Sequence, residues 1–156
     1  MHNVDASPTA ATQIREHIEG RRLLQALAEA DSALESASAI EQPILLSLKS
    51  LALVTTGQAL EGLRIATQAQ ELAAALSNPA IEGEALLALG FALQTMEEHA
   101  RAIDAFTRAE RLAKQSGDNG LNARSLRRLG ISCSVLGRHQ QAPAGTGNSR
   151  ASRRLA

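Results

Sequence analysis

The stretch from Pro79 to Ser116 constrains this chain more than any other. Small and apolar residues dominate between Ile81 and Met96: Ala85, Leu86, Leu87, Leu89, Phe91, Ala92 and Leu93. A helix apolar nearly all round must be packed on two sides. Pro79 suits a first helical position, where its fixed φ fits and its missing N–H would have had no partner. Asn78 before it can cap the helix with its side-chain oxygen. Glu97 and Glu98 then open a second helix, where acids suit the positive end of the dipole. The buried face of that helix should be Ala102, Phe106 and Ala109, with Ile103 and Ala105 beside it. Arg101, Asp104, Arg108, Glu110 and Arg111 point outward, and Asp104 with Arg108 makes an i,i+4 pair worth about 0.2–0.5 kcal/mol. Gly117 closes the helix as a left-handed cap. The stretch therefore reads as a hairpin of two antiparallel helices.

The rest of the chain carries weaker copies of it. Leu126-x2-Leu129-Gly130-x2-Cys133 repeats Leu86-x2-Leu89-Gly90-x2-Leu93 forty residues on. Leu23-x3-Leu27-x2-Ala30 and Ala59-x3-Leu63-x2-Ala66 repeat Ala102-x3-Phe106-x2-Ala109, and Ala142 sits where Ala102 sits. Taken as equivalents, Leu23, Ala59, Ala102 and Ala142 are separated by 36, 43 and 40 residues. Residues 1–10 are polar and expected to fray. Helices are expected over 12–19, with a thin face of Ile14 and Ile18, and over 21–38, with Leu23, Leu24, Leu27, Ala30 and Leu34 on one side. Pro43 opens a third helix over 44–54, Thr55-Thr56-Gly57 turns the chain, and a fourth helix covers 58–77. Asp118 caps a seventh, over 119–136, which Gly137 ends.

These two spacings, on helices about a turn longer than usual, resemble the tetratricopeptide repeat pattern. The likeness is to a long-helix variant found in bacterial regulatory proteins. It implies an all-α fold: antiparallel hairpins stacked as a short right-handed solenoid of about 3.5 units over residues 11–142. Repeat packing would then rest on Ala59, Leu63, Ala66, Leu86, Leu89, Gly90, Leu93, Ala102, Phe106, Ala109, Leu126, Leu129, Gly130 and Cys133. In such proteins the first helix of each pair lines a concave groove that takes a peptide or helix. The resemblance carries that groove onto Ile44, Leu48 and Leu51 in one unit and Glu84, Leu87, Phe91, Gln94 and Thr95 in the next. In the last unit it carries it onto Arg124, Arg127, Ile131 and Ser134. Such a groove is greasy at one end and basic at the other, which suits an amphipathic helix with acidic residues. The family's carboxylate-clamping Lys/Asn set is not reproduced. A plain antiparallel bundle, with the same apolar residues packed between helices, satisfies the spacing as well.

Composition narrows the function. Apolar residues make up 44% of the 156, enough for a core, while Phe91 and Phe106 are the only aromatics. Alanine and leucine must carry the packing, which favours helix on helix. Formal net charge is zero, so no global field draws the chain to DNA or a membrane. The N-terminus has no signal-peptide pattern and no stretch is apolar enough to span a bilayer. The single Cys133 excludes an internal disulfide and fits a reducing compartment, so a cytoplasmic location is expected. Its place between helices predicts a buried, inert thiol.

No catalytic constellation, metal set or cofactor cradle is found, and an enzyme is not expected. His2, His17, His99 and His139 are scattered and lack ligand spacing, so solvated positions are expected for them. Lys49 and Lys114 are the only lysines, and neither lies in a phosphate-binding loop.

The C-terminal end differs from the rest. No acid follows Asp118, whereas Arg124, Arg127, Arg128, Arg138, Arg150, Arg153 and Arg154 do. A solvated arginine face with a disordered basic tail over 143–156 is one reading; contact with nucleic acid, without aromatics to stack on bases, is the other. Pro143 should stop any helix there. The helix over 119–136 would then lack a covering partner at Leu126, Leu129, Cys133 and Leu136. Either a second copy covers it as a homodimer, or the chain is a piece of a longer protein. In the latter case it would be a regulatory segment ahead of a diguanylate cyclase or helix-turn-helix output domain. The expected function is a non-enzymatic protein–protein interaction module.

Overall fold

The computed structural model describes the backbone of residues 8–155 and the side chains of residues 8–138. It is all-α, with no strand among the described residues. Seven helices follow one another among those residues: α1 (Ala10–Glu19), α2 (Leu23–Leu34), α3 (Glu41–Thr55), α4 (Ala59–Ala75), α5 (Pro79–Thr95), α6 (His99–Ser116) and α7 (Asn119–Leu155).

Capping sets the period. Ser38, Asn78 and Asp118 stand forty residues apart and each accepts, through its side-chain oxygen, the N–H three residues on: Glu41, Ile81 and Leu121. The carbonyls of the same three residues accept from Gln42, Glu82 and Asn122, each at 3.0 Å. The Glu41 carboxylate in turn accepts the Ser38 N–H at 2.9 Å, completing a capping box. The turns inside the hairpins recur too. Arg21, Gly57 and Glu97 have φ of 57°, 90° and 62°. The residue after each, Arg22, Gln58 and Glu98, donates its N–H back to His17, Leu53 and Leu93. This back-bonded left-handed turn satisfies carbonyls that the helix end would otherwise leave bare.

Each helix therefore packs against its sequence neighbours, and α3 also touches α1 and α5, as α5 touches α7. The core is a series of three clusters, each shared by three consecutive helices. Ile14, Ala26, Ala30, Leu45, Leu48 and Ala52 join α1, α2 and α3. Leu46, Leu53, Ile65, Ala69, Ala73 and Ala85 join α3, α4 and α5. Leu86, Leu93, Ala102, Phe106, Ala109 and Leu121 join α5, α6 and α7. The α5 helix belongs to two clusters, which is why it is apolar on nearly all sides.

Close approach in the α5/α6 hairpin rests on Gly90. A Cβ there would lie 2.5 Å from Cε1 of the fully buried Phe106 ring. In the α3/α4 hairpin the glycine is on the other helix: a Cβ on Gly62 would lie 2.5 Å from Val54 Cγ2. The Ser50 hydroxyl donates to the Gly62 carbonyl at 2.7 Å across that contact.

Four expectations are corrected. The true equivalents across hairpins are Ala26, Gly62 and Ala102, so the register through Ala59 and Leu63 is displaced by three residues; both are half-buried, while Ala66 is buried. The second helix is shorter than residues 21–38, because Arg21 adopts the left-handed turn and Leu24, 79% exposed, falls off the packed face. The packing roles of Leu126, Gly130 and Cys133 are not realised: Leu126 is 47% exposed, Cys133 is exposed, and open space surrounds Gly130. No described helix lies where α6 lies on α5. Finally, α7 does not stop at Gly137 or Pro143 but runs helical to Leu155. Gly137 is the counterpart of Gly57 and Glu97, but the residues beyond it have no apolar period to draw the chain back. The basic tail expected over 143–156 thus falls in this helix as far as Leu155, its side chains outside the described residues.

Candidate ligand groove

The forty-residue register places α3, α5 and α7 side by side, and α1 lies against α3 at the end of the row. Between them lies a cleft of about 510 Å³. Leu51 and Thr55 of α3 with Leu87 and Phe91 of α5 form its floor. Ile18 and Glu19 of α1, with Arg21, stand on one side, and Arg124, Arg127 and Arg128 of α7 on the other.

The α7 wall is held by three side chains of α5: Glu84, Phe91 and Gln94. Arg124 lies one repeat beyond Glu84, and its Nη1 and Nη2 donate to the Glu84 carboxylate at 3.0 and 2.5 Å. This bidentate bond holds the Arg124 guanidinium above its ordinary pKa, burial acting against it. Arg15 of α1 approaches the same carboxylate at 3.8 Å, so Glu84 links α1, α5 and α7. Next, the Arg128 guanidinium lies over the Phe91 ring, 4.0 Å from its centroid. Its Nη1 donates to Gln94 Oε1 at 3.1 Å. Gln94 Nε2 in turn donates to the Arg128 carbonyl at 3.2 Å and the Ser132 hydroxyl at 2.8 Å.

Arg128 gains no carboxylate from these contacts. Burial, and then the neighbouring Arg127 charge, push its pKa below the ordinary arginine value, although arginine stays protonated at any physiological pH. Arg21 and Arg127 are exposed and have no ion-pair partner among the described residues. The floor is thus aliphatic and aromatic apart from Thr55, whose hydroxyl donates to its own helix at the Leu51 carbonyl, and the rim carries guanidinium groups in excess of carboxylates.

The sequence-predicted groove residues divide three ways. Leu51, Leu87, Phe91, Arg124 and Arg127 line the cleft together. Glu84 and Gln94 stand behind it, fixing Arg124 and Arg128. The others are elsewhere. Leu48 is buried in the cluster with Ile14, because α1 packs across α3, and Ile44 packs against the same cluster. Thr95 is exposed and donates to its own helix at the Phe91 carbonyl, 2.9 Å away. Ile131, 45% exposed, and the exposed Ser134 lie on α7 outside the cleft lining. Residue-by-residue reading missed Ile18, Glu19, Arg21, Thr55 and Arg128. A cation one turn from a phenylalanine's register neighbour is the signal that would have found Arg128.

Elsewhere the picture is plainer. His17 and His99 are half-buried, not solvated; each has a buried Nδ1 without a protein partner, and His17 Nε2 is 3.8 Å from Glu29. His2 and His139 lie outside the described side chains. Cys133 is an exposed thiol, correcting the expected buried one. No group of three or more metal-ligating side chains occurs among the described residues, and no described helix is long and apolar enough to cross a membrane. No protein-family model matches this chain, and no curated protein matches it in sequence.

Proposed function

We propose that this chain is a non-enzymatic protein-interaction module. Its hairpins form a short right-handed solenoid of the tetratricopeptide type, and its cleft receives a peptide or helix of a partner protein. The observation that carries the reading is the cleft itself. Four helices at repeat-related positions contribute an apolar floor and a polar rim to one concavity, and such pockets are where ligands of mixed character bind. A helix laid in a groove buries one apolar face and leaves its flanks to pair with the rim.

A photo-crosslinking residue placed at Phe91 tests this in cells that express the protein. Capture of one protein from position 91, absent when the crosslinker is at the exposed Leu60 of α4, outside the cleft lining, is the expected result. Equal capture from both positions would remove the reading.

Self-association is a second reading, favoured by the exposed α7 face. Leu126 and Ile131 are bare there, and the space at Gly130 is open where Gly90 receives Phe106. Sedimentation equilibrium should then show a monomer–dimer equilibrium that Leu126→Lys abolishes.

A further inference from the structure

We infer that the cleft selects its partner by charge: it takes an amphipathic helix carrying acidic residues about one turn either side of an apolar anchor. The inference rests on the interaction-module reading and goes further by naming the partner's chemistry. The anchor would lie on Leu51, Leu87 and Phe91, and the acids would meet Arg21 on one rim and Arg127 and Arg128 on the other.

Charge complementarity carries it. Of the four arginines lining the cleft, Arg124 is already neutralised by Glu84. Glu19 is the one carboxylate in the lining and has no ion-pair partner among the described residues. Counting Glu19 against one of the remaining three cations still leaves an excess of two. Arg128 is the most telling, since its guanidinium is half-buried and lies on a ring and an amide without a counter-ion. A partly desolvated cation gains more from an arriving carboxylate than a fully hydrated one does. Arg21 and Arg127 stand on opposite walls, so one helix seated between them can meet both. Nucleic acid fits less well. The only ring in the cleft, Phe91, carries Arg128 on one face, and no second aromatic lines the cleft to make a platform for successive bases.

The test is a phage-displayed library of helical peptides about five turns long, selected on the full chain and on three variants. Arg21→Glu with Arg127→Glu reverses the rim at two exposed positions. Glu97 already holds the backbone conformation of Arg21, so the fold should tolerate the first change. Arg128→Gln removes the half-buried cation, and Phe91→Glu blocks the floor. Peptides recovered on the wild type should carry Asp or Glu flanking an apolar residue. Selection on the Arg21→Glu, Arg127→Glu variant should lose or invert that bias, and Arg128→Gln should bind a recovered peptide about tenfold more weakly by fluorescence anisotropy, a change of about 1.4 kcal/mol.

Recovered peptides without an acidic bias, or with the same bias on the reversed rim, would overturn the charge rule while leaving the groove intact. Failure to recover any peptide that Phe91→Glu excludes would overturn the groove and the charge rule together. Tighter binding of a single-stranded thymidine oligonucleotide than of any peptide, lost in the reversed rim, would assign the arginines to nucleic acid instead.

Discussion

Ser77 and Gly117 end α4 and α6 at equivalent places, yet only one is a glycine. Both are left-handed, with φ of 51° and 70°. A side chain there crowds the following carbonyl and costs about 1–2 kcal/mol, which glycine avoids. Ser77 is exposed and makes no side-chain hydrogen bond among the described residues, so nothing offsets the cost. Ser77→Gly should therefore stabilise the chain by about 1 kcal/mol in urea unfolding, and Gly117→Ala should destabilise it by a similar amount. Glu41 gives a residue-scale test by pH. The Ser38 N–H, and then the Ser38 side chain, hold its carboxyl below the ordinary value. A depressed carboxyl contributes stability above its unfolded pKa, near 4.3, and loses it as pH falls through the folded value. Glu41→Gln keeps an acceptor but removes the charge. Its urea midpoint should lie below wild type at pH 7, and the two should converge as pH falls through the depressed folded value.

At the scale of helices, the α5/α6 crossing is a lock of one glycine and one ring. Gly90→Ala places a methyl against Phe106 with the ring fully enclosed, and overpacking of this kind costs about 1–3 kcal/mol. Phe106→Leu leaves a void but frees the space beside position 90. The double substitution should cost less than the two separate losses added, and the coupling is readable from a cycle of four urea curves. This crossing was legible in the sequence, because Leu86, Gly90 and Leu93 on one helix and Ala102 and Phe106 on the next each lie at helical spacing, and the caps Asn78, Asp118 and Gly117 mark the ends. The preceding hairpin was harder to register. There the small residue is Gly62 and the position of Phe106 is held by Ala66, so the small–large contrast disappears. In a helix of alanines and leucines a shift of three or four residues returns to nearly the same face, and Ala59-x3-Leu63-x2-Ala66 fitted almost as well. The left-handed turns at Arg21, Gly57 and Glu97 discriminate better, but two of those three residues are not glycine, and their conformation is imposed by the packed hairpin, not by local preference.

At the scale of the whole molecule, the groove depends on how far α1 and α7 close toward each other, which no local pattern encodes. Leu87, Phe91, Arg124 and Arg127 could be placed from the repeat alone. Arg21 could not, since it reaches the cleft only because α1 packs over Ile44 and Leu48 and carries its C-terminal end to the rim. The link that joins these distant walls is Glu84, 17% exposed at its side chain, bonded to Arg124 and near Arg15. Glu84→Ala should leave two guanidinium groups facing each other without their shared carboxylate. Arg124 is partly exposed, so water screens it, and the loss should be about 1–2 kcal/mol, less than for a fully buried pair. The signature should be uneven. α7 meets the rest through Glu84, Gln94 and the Leu121 cluster and is covered on one side only, so it has the least to hold it once that bond is gone. Amide exchange should quicken across Leu121–Leu136 while Leu45–Leu53 of α3 stays protected. The freed Arg124 would join Arg21, Arg127 and Arg128 as a fourth rim cation without a carboxylate partner. The variant should therefore bind an acidic helical peptide at least as tightly as wild type despite its lower stability, a separation that anisotropy and urea unfolding on the same sample would show.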